Sequence, residues 1–220
     1  MSEISDQQTE GGERSERSEE KNERVLVLDL DQTLINCTEY CRQDVDPEHK
    51  HHEIVDGGEL CHEHYRPFVA EFFTWIKEKG YQIIIWSAVV PSFLVKRVEL
   101  LKKHFGIEVL GCLSAVDITW GDKDLEVVCK KFNLKMGQVL AVDDAQYNYH
   151  MNKGKCIYIR PWFGLNLKDQ ELMNICKHIT SHFEQNKQET QKEDLPEIKQ
   201  KAYDSESSYV QSIFSGKMFV

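Results

Sequence analysis

Three short apolar runs in this chain stop abruptly at residues able to do chemistry. Val25-Leu26-Val27-Leu28 ends in Asp29-Leu30-Asp31-Gln32-Thr33, the run 83–86 ends in Ser87-Ala88, and the run 139–142 ends in Asp143-Asp144. Lys123 stands at the start of the helix expected before the last of these runs. Carboxylates placed directly after buried strands are costly unless a cation or a basic residue compensates them. Asp29 and Asp31 are two apart, so both side chains can face one way. Carboxylates together with backbone oxygen and water suit a hard, octahedral Mg²⁺ ion. Singly, each feature has an ordinary reading: a solvated Asp-x-Asp loop, a helix cap at Asp143-Asp144, a strand terminus at Ser87, a surface charge at Lys123. Jointly, in this order and each at a strand end, they point to one acidic site.

The elements that must position these residues follow from periodicity. Val25–Leu28 is a short, partly β-branched run of the kind buried on both faces of a parallel sheet. Pro67 is expected at the first position of a helix in which Phe68, Phe72, Trp75, Ile76 and Lys79 follow helical spacing, with Gly80 as a left-handed stop. The remaining expectations are a strand from Gln82 to Trp86, a helix from Pro91 to His104 ending at Gly106, and a strand from Val109 to Leu113. A helix from Asp124 to Phe132, strands at 139–142 and 157–159, and a helix from about Asp169 to Phe183 capped by Asn166 complete the series. Strands alternating with helices imply βαβ crossovers, hence a Rossmann-like α/β fold with a parallel sheet covered by helices. Right-handed crossovers then gather the residues just after each strand on one edge.

Composition narrows the function classes. The chain has 220 residues, with 37 acidic against 27 basic side chains and a formal net charge of −10. That size fits one domain with tails. Residues 1–24 are expected to be a disordered acidic tail, because they hold too little apolar surface to offset their ordering entropy. Residues 25–183 form the expected domain, and 184–220 a polar linker ending in a short apolar tail with Phe214 and Phe219. No apolar run approaches the roughly 18–20 residues of a membrane span, and no signal peptide is evident. The acidic balance weighs against a sequence-independent grip on nucleic-acid phosphates. Seven cysteines without a secretory signal read as thiols or metal ligands, and Cys112, Cys129, Cys156 and Cys176 as buried thiols. An intracellular protein of nucleus or cytoplasm is expected.

The ordered series resembles the haloacid-dehalogenase superfamily, whose first motif is Asp-x-Asp-x-Thr after a buried strand. Within it the chain is similar to the FCP/SCP group, the carboxy-terminal-domain phosphatases of RNA polymerase II. The likeness runs from about Val25 to Phe183. It includes Leu28-Asp29-Leu30-Asp31-Gln32-Thr33-Leu34, Arg66-Pro67 before Glu71-Phe72, Trp86-Ser87-Ala88, Lys123-Asp124-Leu125, Val142-Asp143-Asp144 and Trp162-Phe163. The resemblance implies a capless phosphatase domain with a small β insertion, at about 37–65, over the active site. It assigns Asp29 as nucleophile and Asp31 as general acid and base. Thr33, Ser87 and the Ala88 N–H become phosphoryl donors, and Lys123 neutralises nucleophile and phosphate. Asp29, Asp144 and the backbone carbonyl of Asp31 would be direct Mg²⁺ ligands, with Asp143 a ligand through water or an acid standing behind them. The implied activity is hydrolysis of phosphoserine or phosphothreonine in a protein through an aspartyl-phosphate, with the polymerase tail as one candidate substrate. A nucleic-acid-end phosphatase and an inactive phosphatase-like binding module are the alternatives. One departure stands out: residues 114–122 contain no base, where smaller relatives carry one that helps bind the phosphopeptide.

The insertion concentrates three cysteines, Cys37, Cys41 and Cys61, and five of the nine histidines. Cys37 and Cys41 with Cys61 and either His62 or His64 could make a tetrahedral Zn²⁺ site. The spacing matches no standard finger, so a polar loop with incidental His and Cys stands beside that reading, as does a role in substrate recognition.

Overall fold

The structure, a computed structural model, describes residues 24–38, 51–56 and 59–193. Its strands are β1 (Val25–Leu28), β2 (Ile35–Thr38), β3 (His51–Asp56), β4 (Glu59–Tyr65), β5 (Gln82–Trp86), β6 (Gly111–Leu113), β7 (Val139–Asp143) and β8 (Cys156–Tyr158). Its α-helices are α1 (Val69–Glu78), α2 (Pro91–Phe105), α3 (Leu125–Phe132) and α4 (Glu171–Glu193). Five strands form one sheet in the order β6-β5-β1-β7-β8, all neighbours parallel. The Rossmann-like expectation holds. The strand order turns back on itself beside β1, so the crevice at the carboxyl ends of β1 and β7 is the topological switch point where such sheets bind ligands.

Alternation along each strand divides the core in two. Leu26, Leu28, Ile83, Ile85, Leu140 and Val142 join the cluster formed with α1, α2 and α4, through residues such as Phe72, Leu94 and Ile175. Val25, Val27, Ile84, Trp86, Val139 and Ala141 join Leu125, Val128 and Cys129 of α3. All four β1 side chains are fully buried, and each such burial contributes roughly 1.5–3 kcal/mol. β1 is therefore the rigid post from which Asp29 emerges.

The insertion is a second, antiparallel sheet of order β2-β4-β3. It leads directly into α1 through Arg66 and Pro67.

Several boundaries differ from expectation. Pro67 does not open α1: Phe68 adopts a left-handed backbone with φ of 63°, and the helix starts at Val69. β6 is only three residues long, beginning at Gly111 rather than Val109. Asp169, not Asn166, caps α4, its carboxylate accepting from the Glu171 amide at 3.1 Å while the Asn166 side chain accepts from Lys168. α4 runs on past Phe183 to Glu193. Cys112 is half-buried, whereas Cys129, Cys156 and Cys176 are buried as expected. Among the described residues no helix is long and apolar enough to cross a membrane. The expectations for residues 1–23 and 194–220, and for Cys41, lie outside the described residues.

Candidate active site

Asp29 is the first residue after β1, and its amide donates to the Val142 carbonyl of β7 at 3.0 Å. That bond extends the sheet by one residue and aims the Asp29 side chain across the switch point. Asp143 closes β7 and is fully buried. Between the two lies the Lys123 ammonium, 2.7 Å from Asp29 Oδ1 and 2.6 Å from Asp143 Oδ2. Its third donor reaches the Trp86 carbonyl at 3.1 Å, so all three ammonium hydrogens are used. Two other contacts brace the segment that delivers this lysine: the Lys123 amide donates to the Asn148 carbonyl at 2.7 Å, and His150 lies 2.8 Å from Asp122.

Thr33 and Asp144 tie the first motif to the last. The Asp144 amide donates to the Thr33 hydroxyl at 3.1 Å, and that hydroxyl lies 3.3 Å from Asp144 Oδ1. Ser87, at the end of β5, donates to Asp31 Oδ2 at 3.1 Å. Ala88 follows in an exposed bend on the same edge. Asp29, Asp31, Thr33, Ser87, Ala88, Lys123, Asp143 and Asp144 therefore meet at one sheet edge, from strands distant in sequence. Thr33 and Ser87 present their hydroxyls to Asp144 and Asp31, which orients those acids.

Charge is unbalanced there. Asp29, Asp31, Asp143 and Asp144, with Glu63 of β4, face two cations, Lys123 and Arg97. Burial is the main cause pushing the Asp29 carboxyl up to about 7, with Lys123 pulling it back and Asp143 adding to the rise. Burial and then Asp143 likewise push Asp144 up. For Lys123 burial favours the neutral amine, but Asp29 and Asp143 outweigh it and hold the ammonium charged. Single ligand oxygens of Asp29, Asp143 and Asp144 can come within 4.8 Å of one another, the only such group of acids, histidines and cysteines among the described residues. A cluster of carboxylates with too few cations, rich in oxygen and poor in nitrogen or sulfur, fits a hard divalent cation. Asp31 stands apart from the group: its side chain turns to Ser87 and Arg97.

The zinc expectation is not met. In the β2–β4 pairing Cys37 stands opposite Glu63, whereas Asn36 and Thr38 stand opposite His64 and His62. Directly paired residues share a face and neighbours alternate, so Cys37 is on the other face from His62 and His64. The Cys41 residue and the Cys61 side chain lie outside the described residues.

Two arginines belong to the site that its motifs did not single out by role. Arg66, 1% exposed, donates to both oxygens of Asp169 at 2.8 and 3.1 Å and to the carbonyls of Thr33 at 3.1 Å and Arg160 at 2.7 Å. It thereby fastens the loop after β1 to the start of α4. Arg97, on α2, reaches Asp31 and Glu63. Burial pulls its guanidinium down, and the two acids more than restore it.

The family model described as "NLI interacting factor-like phosphatase" matches residues 24–191. No curated protein matches the chain. Among solved structures, the fission yeast RNA polymerase II CTD phosphatase Fcp1 bound to beryllium fluoride is similar at a TM-score of 0.52 and 19% identity, over 85% of this chain and 56% of that one. A second structure of Fcp1, described as an essential RNA polymerase II CTD phosphatase, gives a TM-score of 0.51 and 21% identity, over 76% and 51%. The chain thus spans about half the length of the proteins it resembles in fold.

Proposed function

The chain belongs to the NLI interacting factor-like phosphatase family, and from that premise we propose that it is a Mg²⁺-dependent phosphoserine/phosphothreonine protein phosphatase working through an aspartyl-phosphate. The observation that carries this reading is the grouping of Asp29, Asp143 and Asp144 at the switch point of the sheet, with Lys123 bridging the first two. Asp29, Asp143 and Asp144, with the Asp31 backbone carbonyl, would hold the ion. When bound, it would temper the repulsion between carboxylate and phosphate and align the phosphoryl group.

The Asp29 carboxylate attacks phosphorus, and the bond from phosphorus to the serine or threonine oxygen breaks. Asp31, whose side chain is 31% exposed and the more open of the two motif acids, gives its proton to the departing oxygen. Water then attacks the phosphorus of the aspartyl-phosphate. Asp31 takes the water's proton, and inorganic phosphate leaves with Asp29 restored. Throughout, Lys123 keeps Asp29 oriented and its charge balanced.

A small insertion in place of a large lid favours an extended peptide, and the polymerase tail acted on by the Fcp1 proteins is one candidate. A net charge of −10 disfavours a nucleic-acid end. The test is phosphate release from phosphoserine heptad peptides and from a 5′-phosphorylated oligonucleotide, with Mg²⁺ or with chelator. Mg²⁺-dependent release from the peptides, lost in Asp29→Asn, is expected. Inert Mg²⁺-loaded protein would favour a binding module, and turnover of the oligonucleotide over every peptide would favour the nucleic-acid reading.

A further inference from the structure

The guanidinium nearest the reacting groups comes from α2, not from the base-free stretch before Lys123. Arg97 is 2% exposed, and its Nη1 donates to both carboxylate oxygens of Asp31 at 2.9 Å. Its Nε donates to Glu63, itself 1% exposed on β4. The Phe93 ring covers the guanidinium, with its centroid 4.3 Å from Cζ. Arg97 is thus enclosed by two acids and an aromatic face, and cannot itself touch a substrate. Asp31 is different: its half-open side chain would sample several rotamers without a fixed partner. Ser87 supplies one hydrogen bond, and Arg97 Nη1, steadied by the Nε bond to Glu63, bridges both oxygens and so holds the carboxylate in place. Glu63 belongs to the insertion, 34 residues from Arg97 in sequence. Burial pushes the Glu63 carboxyl up, and Arg97 pulls back part of that rise.

Resting on the phosphatase reading, we propose that Arg97 is a positioning residue that holds Asp31 in the orientation needed to protonate the leaving oxygen, and that Glu63 of the insertion holds Arg97 for this purpose. The insertion sheet is then more than a cover. It is coupled through one buried ion pair to the proton-transfer step, and its effect falls on substrates whose leaving group needs a proton. An alkoxide leaving from phosphoserine needs one. A nitrophenolate barely does.

The experiment compares kcat/KM on a phosphoserine peptide and on p-nitrophenyl phosphate, using the full chain with Mg²⁺. kcat/KM reports phosphoryl transfer to Asp29 rather than the later hydrolysis. Arg97→Gln combined with Glu63→Gln removes both charges, so no buried charge is left alone. That variant should lose about 100-fold on the peptide, the usual scale of general-acid catalysis, but no more than about fivefold on p-nitrophenyl phosphate. Adding it to Asp31→Asn should cost nothing further on the peptide, because Arg97 acts through Asp31. Arg97→Lys keeps the charge without the rigid guanidinium that reaches Glu63 and Asp31 at once; it should fold like the wild type and still show the selective loss on the peptide. Equal losses on both substrates in Arg97→Lys or in the double variant would overturn the proposal, as would a loss additive with Asp31→Asn. Wild-type protein inert on both substrates would overturn the phosphatase reading, and this one with it.

Discussion

Asp29 is at once the most useful and the most costly residue of the site. Its carboxyl is raised to about 7 chiefly by burial, far above the unfolded value near 3.8. Between those values the folded chain binds the proton more tightly than the unfolded chain, so stability falls as pH rises from about 4 to about 7. In metal-free protein, denaturant unfolding should therefore show a decline of a few kcal/mol at most across that window. Mg²⁺ competes with the proton, so the rise in Tm on adding it should be larger at pH 8 than at pH 6. A Tm gain independent of pH would contradict that. Asp29, Asp31, Lys123, Asp143 and Asp144 were legible in the sequence because each adjoins a strand or helix end that periodicity locates. Arg97 was not. It sits among Lys96, Lys102 and Lys103 on an amphipathic helix, where a base reads as a solvated charge, and its partners are 34 and 66 positions away.

At the scale of elements, the site depends on contacts that brace its loops. Arg66 and Asp169 form a buried pair that joins the loop after β1 to α4. Arg66→Met leaves Asp169 without its partner and should destabilise the fold by about 3–5 kcal/mol in urea unfolding. Gly111 lets β6 pass under α3, since a Cβ there would lie 2.4 Å from the Phe132 ring. Gly111→Ala should accordingly cost about 1–3 kcal/mol by the same measurement. The two-residue turn before Lys123 works in the opposite sense. Trp120 holds a φ of 54° and is 99% exposed, so no packing compensates its left-handed backbone. Trp120→Gly should raise stability by up to about 1 kcal/mol. The regular βα units could be anticipated from their apolar periods, whereas the starts of α1 and α4 could not. Phe68 turns left-handed, a conformation no residue pattern announces, and Asp169 became the cap of α4 because Arg66, far away in sequence, holds it in place.

For the molecule as a whole, the parallel sheet gathers three strand ends into one acidic cluster, and a polar antiparallel insertion stands beside it. That insertion was the part least legible in the sequence. Its His/Cys richness suggested a metal, but the register of β2 with β4 sets Cys37 on one face and His62 and His64 on the other, and register cannot be read from spacing alone. The overall negative charge makes a further expectation: repulsion should hold a phosphorylated oligonucleotide to a far higher KM than a phosphopeptide of low charge, with the gap shrinking as salt is raised. The claim on which everything rests is that Asp29 becomes phosphorylated. The direct measurement is an acid quench during turnover of a ³²P-labelled phosphoserine peptide with Mg²⁺, followed by peptide mapping. A hydroxylamine-sensitive label on the peptide containing Asp29, missing from Asp29→Asn, is the expected result. Steady phosphate release with no label on the protein, or with the label unchanged in Asp29→Asn, would contradict it.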